Sequence, residues 1–445
     1  MSLCPCSCGR SFQSAAGLAQ HRAAKHSSQL SPELQHQPLG PATQAIAASP
    51  RSPPRSPRPR DSRLWKGLLG LEPIATIGLE SLRPSNTSVS ISTPSQLVCS
   101  YNWQSGGGFQ VPGYAPIWQN IALPTSLPRD PKLSNASKPT FTTSMYPFEQ
   151  IFQATAVMDP DFRFNKIDIV TTRNSLRKFL DFCSGRRPDS FRVNLSLVEN
   201  TLFIEQHNVI NMAQGTGWGH SFEKAFTRYP PGFESSTTHD RFLQYPLGDL
   251  NCLVGFEVDA CYRGDGSEPT QVQPDIEELQ DGLGEISLND SATPLPNTIG
   301  KCSMPRPSPH LPAGTTIMPQ SAAAELKTCK VGKSGIAAYL PQLWFGRTSW
   351  LIVASHKEGT FINTKIMDVA SRLTQWEVER QDDLRMLAAF LAAVREAMRK
   401  CGRTRCSLMY EKAGVGSPNV VKLFNANITK VGRVVPEEAF HRFWS

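Results

Sequence analysis

Apolar and polar positions alternate along several short stretches of this chain. Residues 194–206 show two such runs around a Glu199-Asn200 turn and predict a β-hairpin. Leu253 to Tyr262, Ala322 to Val331 and Ser349 to Ser355 predict further strands. Elsewhere the period lengthens. Leu384, Leu387, Leu391, Val394 and Met398 fall on one face of a helix predicted over Gln381 to Lys400, with Arg385, Arg395 and Glu396 off that face. Arg173 to Cys183 predicts a shorter helix. Strands mixed with helices indicate an α/β or α+β core.

Composition divides the 445 residues into zones. Residues 1–30 carry a compact Cys/His block. Residues 31–74 are rich in Ser, Pro, Gln and Arg, hold few large apolar groups to offset the entropy of folding, and read as a disordered linker. Residues 75–445 have globular density, interrupted at 263–315 by a segment with eight acids, three bases and many Pro, Ser and Gly. Strands on both sides make that segment a disordered acidic insertion. No stretch of 18 apolar residues exists, which excludes a transmembrane helix, so no membrane association is expected. The N-terminus lacks the apolar run of a secretory signal, and the eleven cysteines, odd in number and irregular in spacing, read mostly as reduced thiols.

Charge sharpens the picture. The chain carries a net +8, and residues 1–66 hold nine Lys/Arg against Glu33 and Asp61, nearly the whole excess. A basic N-terminal region suits a polyanion such as nucleic acid, or a solvated tail. Its Ser/Pro/Arg run reads as a nuclear address or as a linker, so the expected compartment is the nucleus, with the cytoplasm as alternative.

Cys4 and Cys8 enclose three residues, Cys8 and His21 twelve, and His21 and His26 four. This resembles a two-cysteine, two-histidine zinc finger. Two thiolates and two imidazoles one helical turn apart can close a tetrahedron around Zn²⁺. Phe12 and Leu18 supply the small core, and the metal supplies the folding energy. One finger spans only about three base pairs, so it is expected to be an accessory grip on nucleic acid or protein.

Two carboxylates, Glu257 and Asp259, stand two apart in a predicted strand and so share a face, while Val254, Phe256, Val258 and Ala260 take the other. Glu325 and Lys327 repeat that spacing around Leu326. Paired acids repel and call for a cation, and oxygen ligands suit Mg²⁺ or Mn²⁺. With the two strands side by side, three acids and a lysine form the patch of a metal-dependent phosphodiesterase. Each pair alone is a weak signal, since most such pairs are solvated strand edges.

Their order and company add specificity. Upstream stand Asp168 to Arg173, ending a strand at a helix, and Gly219 to Glu223; downstream, Gln342 opens a further helix. Arg173, Glu223, Glu257 with Asp259, Glu325 with Lys327, and Gln342, together with the stretch Leu97 to Trp118, resemble in order the motifs of the DXO family of RNA 5′-end decapping nucleases. The resemblance covers about residues 75–445. It implies an α+β fold of twisted mixed β-sheets flanked by helices, around a deep acidic pocket. It implies Mg²⁺ or Mn²⁺ held by Glu223, Glu257, Asp259, Glu325 and the Leu326 carbonyl. Lys327 and Gln342 would meet the scissile phosphate and the attacking water, and Arg173 the RNA backbone. The implied activity removes aberrant 5′ ends, namely incomplete caps, triphosphates or NAD caps, with 5′→3′ degradation in some members and a 5′→3′ exoribonuclease as a candidate partner. The long insertion between the two central motifs, the finger and the Ser/Pro/Arg tail depart from the family. Two other classes compete: a restriction-type DNA nuclease, since such Glu/Lys metal sites also serve those enzymes, and a nucleic-acid-binding adaptor without catalysis.

Overall fold

The computed structural model describes residues 4–5, 11–12, 63–131, 146, 148–186, 188–207, 217–264, 307–309, 316–333, 335–412, 418–425 and 435–445. Two units separate, Met1–Pro59 and Arg60–Ser445. In the first, Cys4–Pro5 pairs antiparallel with Ser11–Phe12, Cys4 opposite Phe12. Cys8, His21 and His26 lie outside the described residues, as does the Cys4 side chain, so the expected zinc centre lies there too.

The main elements of the second unit follow in chain order. Strand β1 is Gln96–Gln104, helix α1 Glu149–Met158, β2 Ile169–Thr172 and α2 Arg173–Cys183. The hairpin is β3 Phe191–Val198 and β4 Thr201–Gln206, then come α3 Gly219–Phe226, β5 Ser236–Leu247, β6 Leu250–Glu257 and β7 Ala260–Cys261. After them come β8 Ala323–Lys330, α4 Leu340–Phe345, β9 Trp350–Lys357, β10 Thr360–Asp368, α5 Ala370–Glu379, α6 Gln381–Lys400, β11 Arg405–Tyr410 and α7 Glu437–Trp444. Among the described residues no helix is long and apolar enough to cross a membrane.

Eleven strands form one mixed sheet, in the order Ser308–Pro309, Phe109–Val111, β1, β5, β6, β2, β4, β3, β11, Val420–Phe424 and Ala75–Gly78. Strand β2 runs parallel to both β6 and β4. Along these strands neighbouring residues enter opposite cores. Ile169, Leu202, Leu243 and Val254 join one cluster, and Val170, Phe203, Phe242 and Leu253 the other. A strand buried on both faces reads as a nearly continuous apolar run. Helices α1 and α7 cover one face. Helices α2, α4, α5 and α6 pack on the other, where Phe390 of α6 meets Phe179 and Phe182 of α2 at ring distances of 5.3 and 5.2 Å.

The second sheet has seven strands, ordered Thr227–Arg228, Ile117–Trp118, β7, β8, β9, β10 and Thr125–Ser126. Here β8 runs parallel to β9, while β7 and β10 are antiparallel to their neighbours β8 and β9. The expected α+β fold of mixed sheets flanked by helices is present, with seven helices among the described residues.

Two expectations are corrected. Leu253 to Tyr262 is not one strand: β6 ends at Glu257 in the large sheet, and β7 begins at Ala260 in the small one. From Phe256 to Ala260 buried and more open positions alternate straight across the step, so periodicity alone cannot show the change of partner. The linker also ends before residue 74. Leu64, Trp65 and Leu68 are buried against Met409 and Phe424, and Arg192 donates to the carbonyls of Leu64 and Lys66 at 3.2 and 2.7 Å. The acidic insertion lies outside the described residues, apart from 263–264 and 307–309.

Candidate active site

The site forms where the chain passes from one sheet to the other. Glu257 closes β6, Asp259 stands in the two-residue step, and Ala260 pairs with Ala324 beside Glu325. The step therefore delivers both carboxylates to the start of β8, and Asp259 accepts the Leu326 N–H at 2.9 Å. On β8, Leu326 enters the apolar cluster containing Phe222 and Phe226 of α3, while Glu325 turns away from it.

Glu325 is 2% exposed and is the hub. Arg173 Nη1 donates to its Oε2 at 2.9 Å. Its Oε1 accepts from the Lys327 ammonium and from the Gln342 amide. Lys327 Nζ also lies 3.6 Å from Asp259 Oδ2. Arg173 reaches this point because it is the first residue of α2, directly after β2, and the Thr172 side chain accepts the Ser175 N–H at that helix start. Its Nη2 donates to the Glu257 carbonyl at 3.3 Å, and its guanidinium covers Phe256 at 5.3 Å. Gln342 opens α4, and Arg177 Nη1 donates to its Oε1 at 3.2 Å.

Glu223 approaches from α3. The start of that helix is capped by a distant side chain, since Asp130 accepts the Ser221 N–H at 2.9 Å and the His220 N–H at 3.4 Å. Glu223 is partly exposed and lies 3.4 Å from His220 Nδ1, which raises the imidazole pKa. Its carboxylate acts electrostatically on both Glu257 and Asp259.

The electrostatics divide the acids. Burial pushes the Glu257 carboxyl up, and Glu223 and Glu325 push it further, against Arg173 and His220. Burial raises Asp259 well above the carboxylate range, with Glu325 adding to it and Lys327 opposing. Burial also works to raise Glu325, but Arg173 and Lys327 outweigh it and hold the group below its ordinary value. Lys327, which burial alone would lower, is raised by Glu325 and Asp259. Of the three, Glu325 is the carboxylate whose pKa is held down, so on acidification protons return first to Glu257 and Asp259.

Sequence reasoning missed Asp240. It stands opposite Glu257 across the β5–β6 ladder, and burial, then the Glu257 charge, push it up to about 7. A single aspartate in β5 carries no motif, so only strand register exposes it. Arg177 was legible, one helical turn after Arg173 on the same face.

All of Arg173, Glu223, Glu257, Asp259, Glu325, Lys327 and Gln342 are therefore linked by contact or by charge. Among the described residues, no three His, Cys, Asp or Glu side chains are gathered tightly enough to hold a metal ion. The chemistry of the donors nevertheless fits a hard divalent cation: the pKa values of Glu257 and Asp259 are raised by burial and by the charges of Glu325 and Glu223, and such a cation would offset both.

The family described as a domain of unknown function (DUF8563) matches residues 73–444. No curated protein matches the chain. Candida albicans Rai1 in complex with pU5-Mn²⁺ is similar in structure, with 11% identity, a TM-score of 0.51, and 83% of this chain and 98% of that one covered. S. pombe Rai1 in complex with 3′-FADP has 11% identity and a TM-score of 0.49 over 79% and 99% of the two chains. K. lactis Dxo1 in complex with manganese has 9% identity and a TM-score of 0.46 over 81% and 99%. At these identities the likeness is one of fold.

Proposed function

We propose that this chain, which belongs to the DUF8563 family, is a divalent-metal-dependent hydrolase of RNA 5′ ends, acting on incomplete caps, 5′-triphosphates or NAD caps. The observation that carries the reading is the union of Glu257, Asp259, Glu325 and Lys327 at the crossing between the sheets, with Arg173 and Gln342 locked onto the same carboxylate. Glu223, Glu257, Asp259, Glu325 and the Leu326 carbonyl would hold Mg²⁺ or Mn²⁺. When bound, that cation neutralises phosphate charge and lowers the pKa of water.

The protein groups have separable tasks. Arg173 fixes Glu325 and keeps it ionised. Lys327 directs a positive charge at the place where a phosphoryl group gains negative charge. Glu257 and Asp259, whose pKa values burial and the neighbouring charges raise, would serve as the carboxylate ligands whose repulsion the cation offsets. Gln342, its amide fixed at both ends by Arg177 and Glu325, orients that water or the phosphate.

The test is incubation with 5′-triphosphate RNA, capped RNA, NAD-capped RNA and DNA in Mg²⁺ or Mn²⁺, with identification of the products. The expected result is a released cap fragment or pyrophosphate and a 5′-monophosphate RNA, abolished by Glu257→Gln and by Asp259→Asn. A ladder of shortened RNA would add 5′→3′ exonuclease activity. Cleavage of duplex DNA alone would favour the restriction-type reading. Nucleic-acid binding with no cleavage would favour an adaptor.

A further inference from the structure

One cation at the rim of the carboxylate cluster has no acid in contact. Arg177 follows Arg173 by one turn of α2, so both guanidinium groups leave the same face of the helix. Arg173 is buried and engaged by Glu325 and the Glu257 carbonyl. Lys327 is held between Glu325 and Asp259. Asp181, the acid one turn further along α2, pairs with Arg186 instead. Arg177 is half-buried and donates once, to Gln342 Oε1 at 3.2 Å. Among the described residues it has no carboxylate partner.

We propose that Arg177, beside the Gln342 amide, is the binding point for a phosphate group of the substrate, a role the sequence resemblance assigned to Arg173. The proposal rests on the reading above, that the site accepts RNA. A guanidinium with unused N–H groups meets two oxygens of one phosphate in a fixed fork, which a buried and fully engaged arginine cannot do. Burial and then the neighbouring Arg173 charge push the Arg177 pKa down, and the Glu325 and Asp181 charges, neither of them in contact, only partly oppose this, so a phosphate oxygen in contact would compensate that cation. Its single contact with Gln342 sets the bound phosphate next to the amide that reaches Glu325.

The test measures binding of a short 5′-phosphorylated oligoribonucleotide by fluorescence anisotropy, across a salt series, with Ca²⁺ as the divalent cation. Arg177→Gln is expected to weaken binding roughly tenfold, the loss of one charge-assisted contact. It should also reduce the log–log salt slope by about 0.7, one phosphate contact on a single strand. Arg177→Lys keeps the charge without the fork, so it should keep the slope but not the full affinity. Arg186→Gln, which removes an exposed cation paired with Asp181, should change neither. Wild-type affinity and slope in Arg177→Gln would overturn the proposal and leave the hydrolase reading standing; Arg177 would then act only by orienting Gln342. Should Arg177→Gln not fold, Arg177→Lys carries the test, and its binding at wild-type affinity would overturn the proposal. Absence of RNA binding by the wild-type chain would overturn the RNA reading and this proposal with it.

Discussion

Replacing Glu325 by glutamine keeps its volume and removes one buried charge. Its side chain is 2% exposed and that of Arg173 11%, so solvent cannot take over the stranded guanidinium. Breaking a buried pair in this way costs about 3–5 kcal/mol. The lower end applies here, because Arg173 keeps the Glu257 carbonyl and the face of Phe256. With a urea m-value of about 3 kcal/mol/M, the unfolding midpoint should fall by about 1 M. The pH dependence follows from the depressed pKa of Glu325. A carboxyl with a lowered folded pKa contributes stability above its unfolded value, about 4.5, and loses it as pH falls through the folded value. The midpoint gap between wild type and variant should therefore be full at pH 7 and close on acidification below about pH 4. Pairing the variant with Arg173→Met should cost less than the sum of the two single changes by roughly 2 kcal/mol. Chemical denaturation at several pH values checks each point. An unchanged midpoint at pH 7, or a gap that widens in acid, would refute the picture of Glu325 as the ionised hub.

Glu257→Gln should do the reverse in the absence of metal. It removes a carboxyl whose pKa is raised, so the urea midpoint should rise at pH 8 and return to wild type in acid, while hydrolysis of 5′-triphosphate RNA disappears. Asp240→Asn should raise stability above pH 7, where the native group is charged at a cost, and leave it unchanged below about pH 4, as urea midpoints across that range would show. Gly255→Ala would set a methyl group on the Phe242 ring across the β5–β6 ladder, and the resulting overpacking should lower the unfolding free energy by about 1–3 kcal/mol, read by urea denaturation. A chain beginning at residue 75 should be less stable than one beginning at Arg60. It loses Leu64, Trp65 and Leu68 and uncovers Met409 and Phe424, and comparison of thermal unfolding of the two forms tests this.

The elements most legible in advance are those whose evidence is local. Helices α2 and α6 run over the residues their apolar spacing marks. In α6, Asp382 and Asp383 in the first turn and Arg399 and Lys400 in the last also suit the helix dipole. The hairpin turns at Glu199-Asn200, with Glu199 in the left-handed region at φ 49°. The candidate site was legible as a set of residue types in order. The break between β6 and β7 was not, because alternate burial continues across it while the hydrogen-bonding partner changes. Asp240 escaped because its meaning lies in its cross-strand neighbour.

By itself the sequence determined which groups are available: carboxylates two apart, a lysine two after an acid, arginines one helical turn apart, and the segments that form strands and helices around them. Periodicity and side-chain chemistry settle those within a few residues of chain. Only the tertiary structure decided how the charges are distributed. Glu325 is held ionised by Arg173, 152 residues away, while Glu257, which has the same ordinary acidity, and Asp259, which is more acidic as a free side chain, are both pushed up by burial and by the charges of Glu325 and Glu223. Desolvation and Coulomb interaction depend on distances through space, and those exist only once the two sheets bring separated segments together.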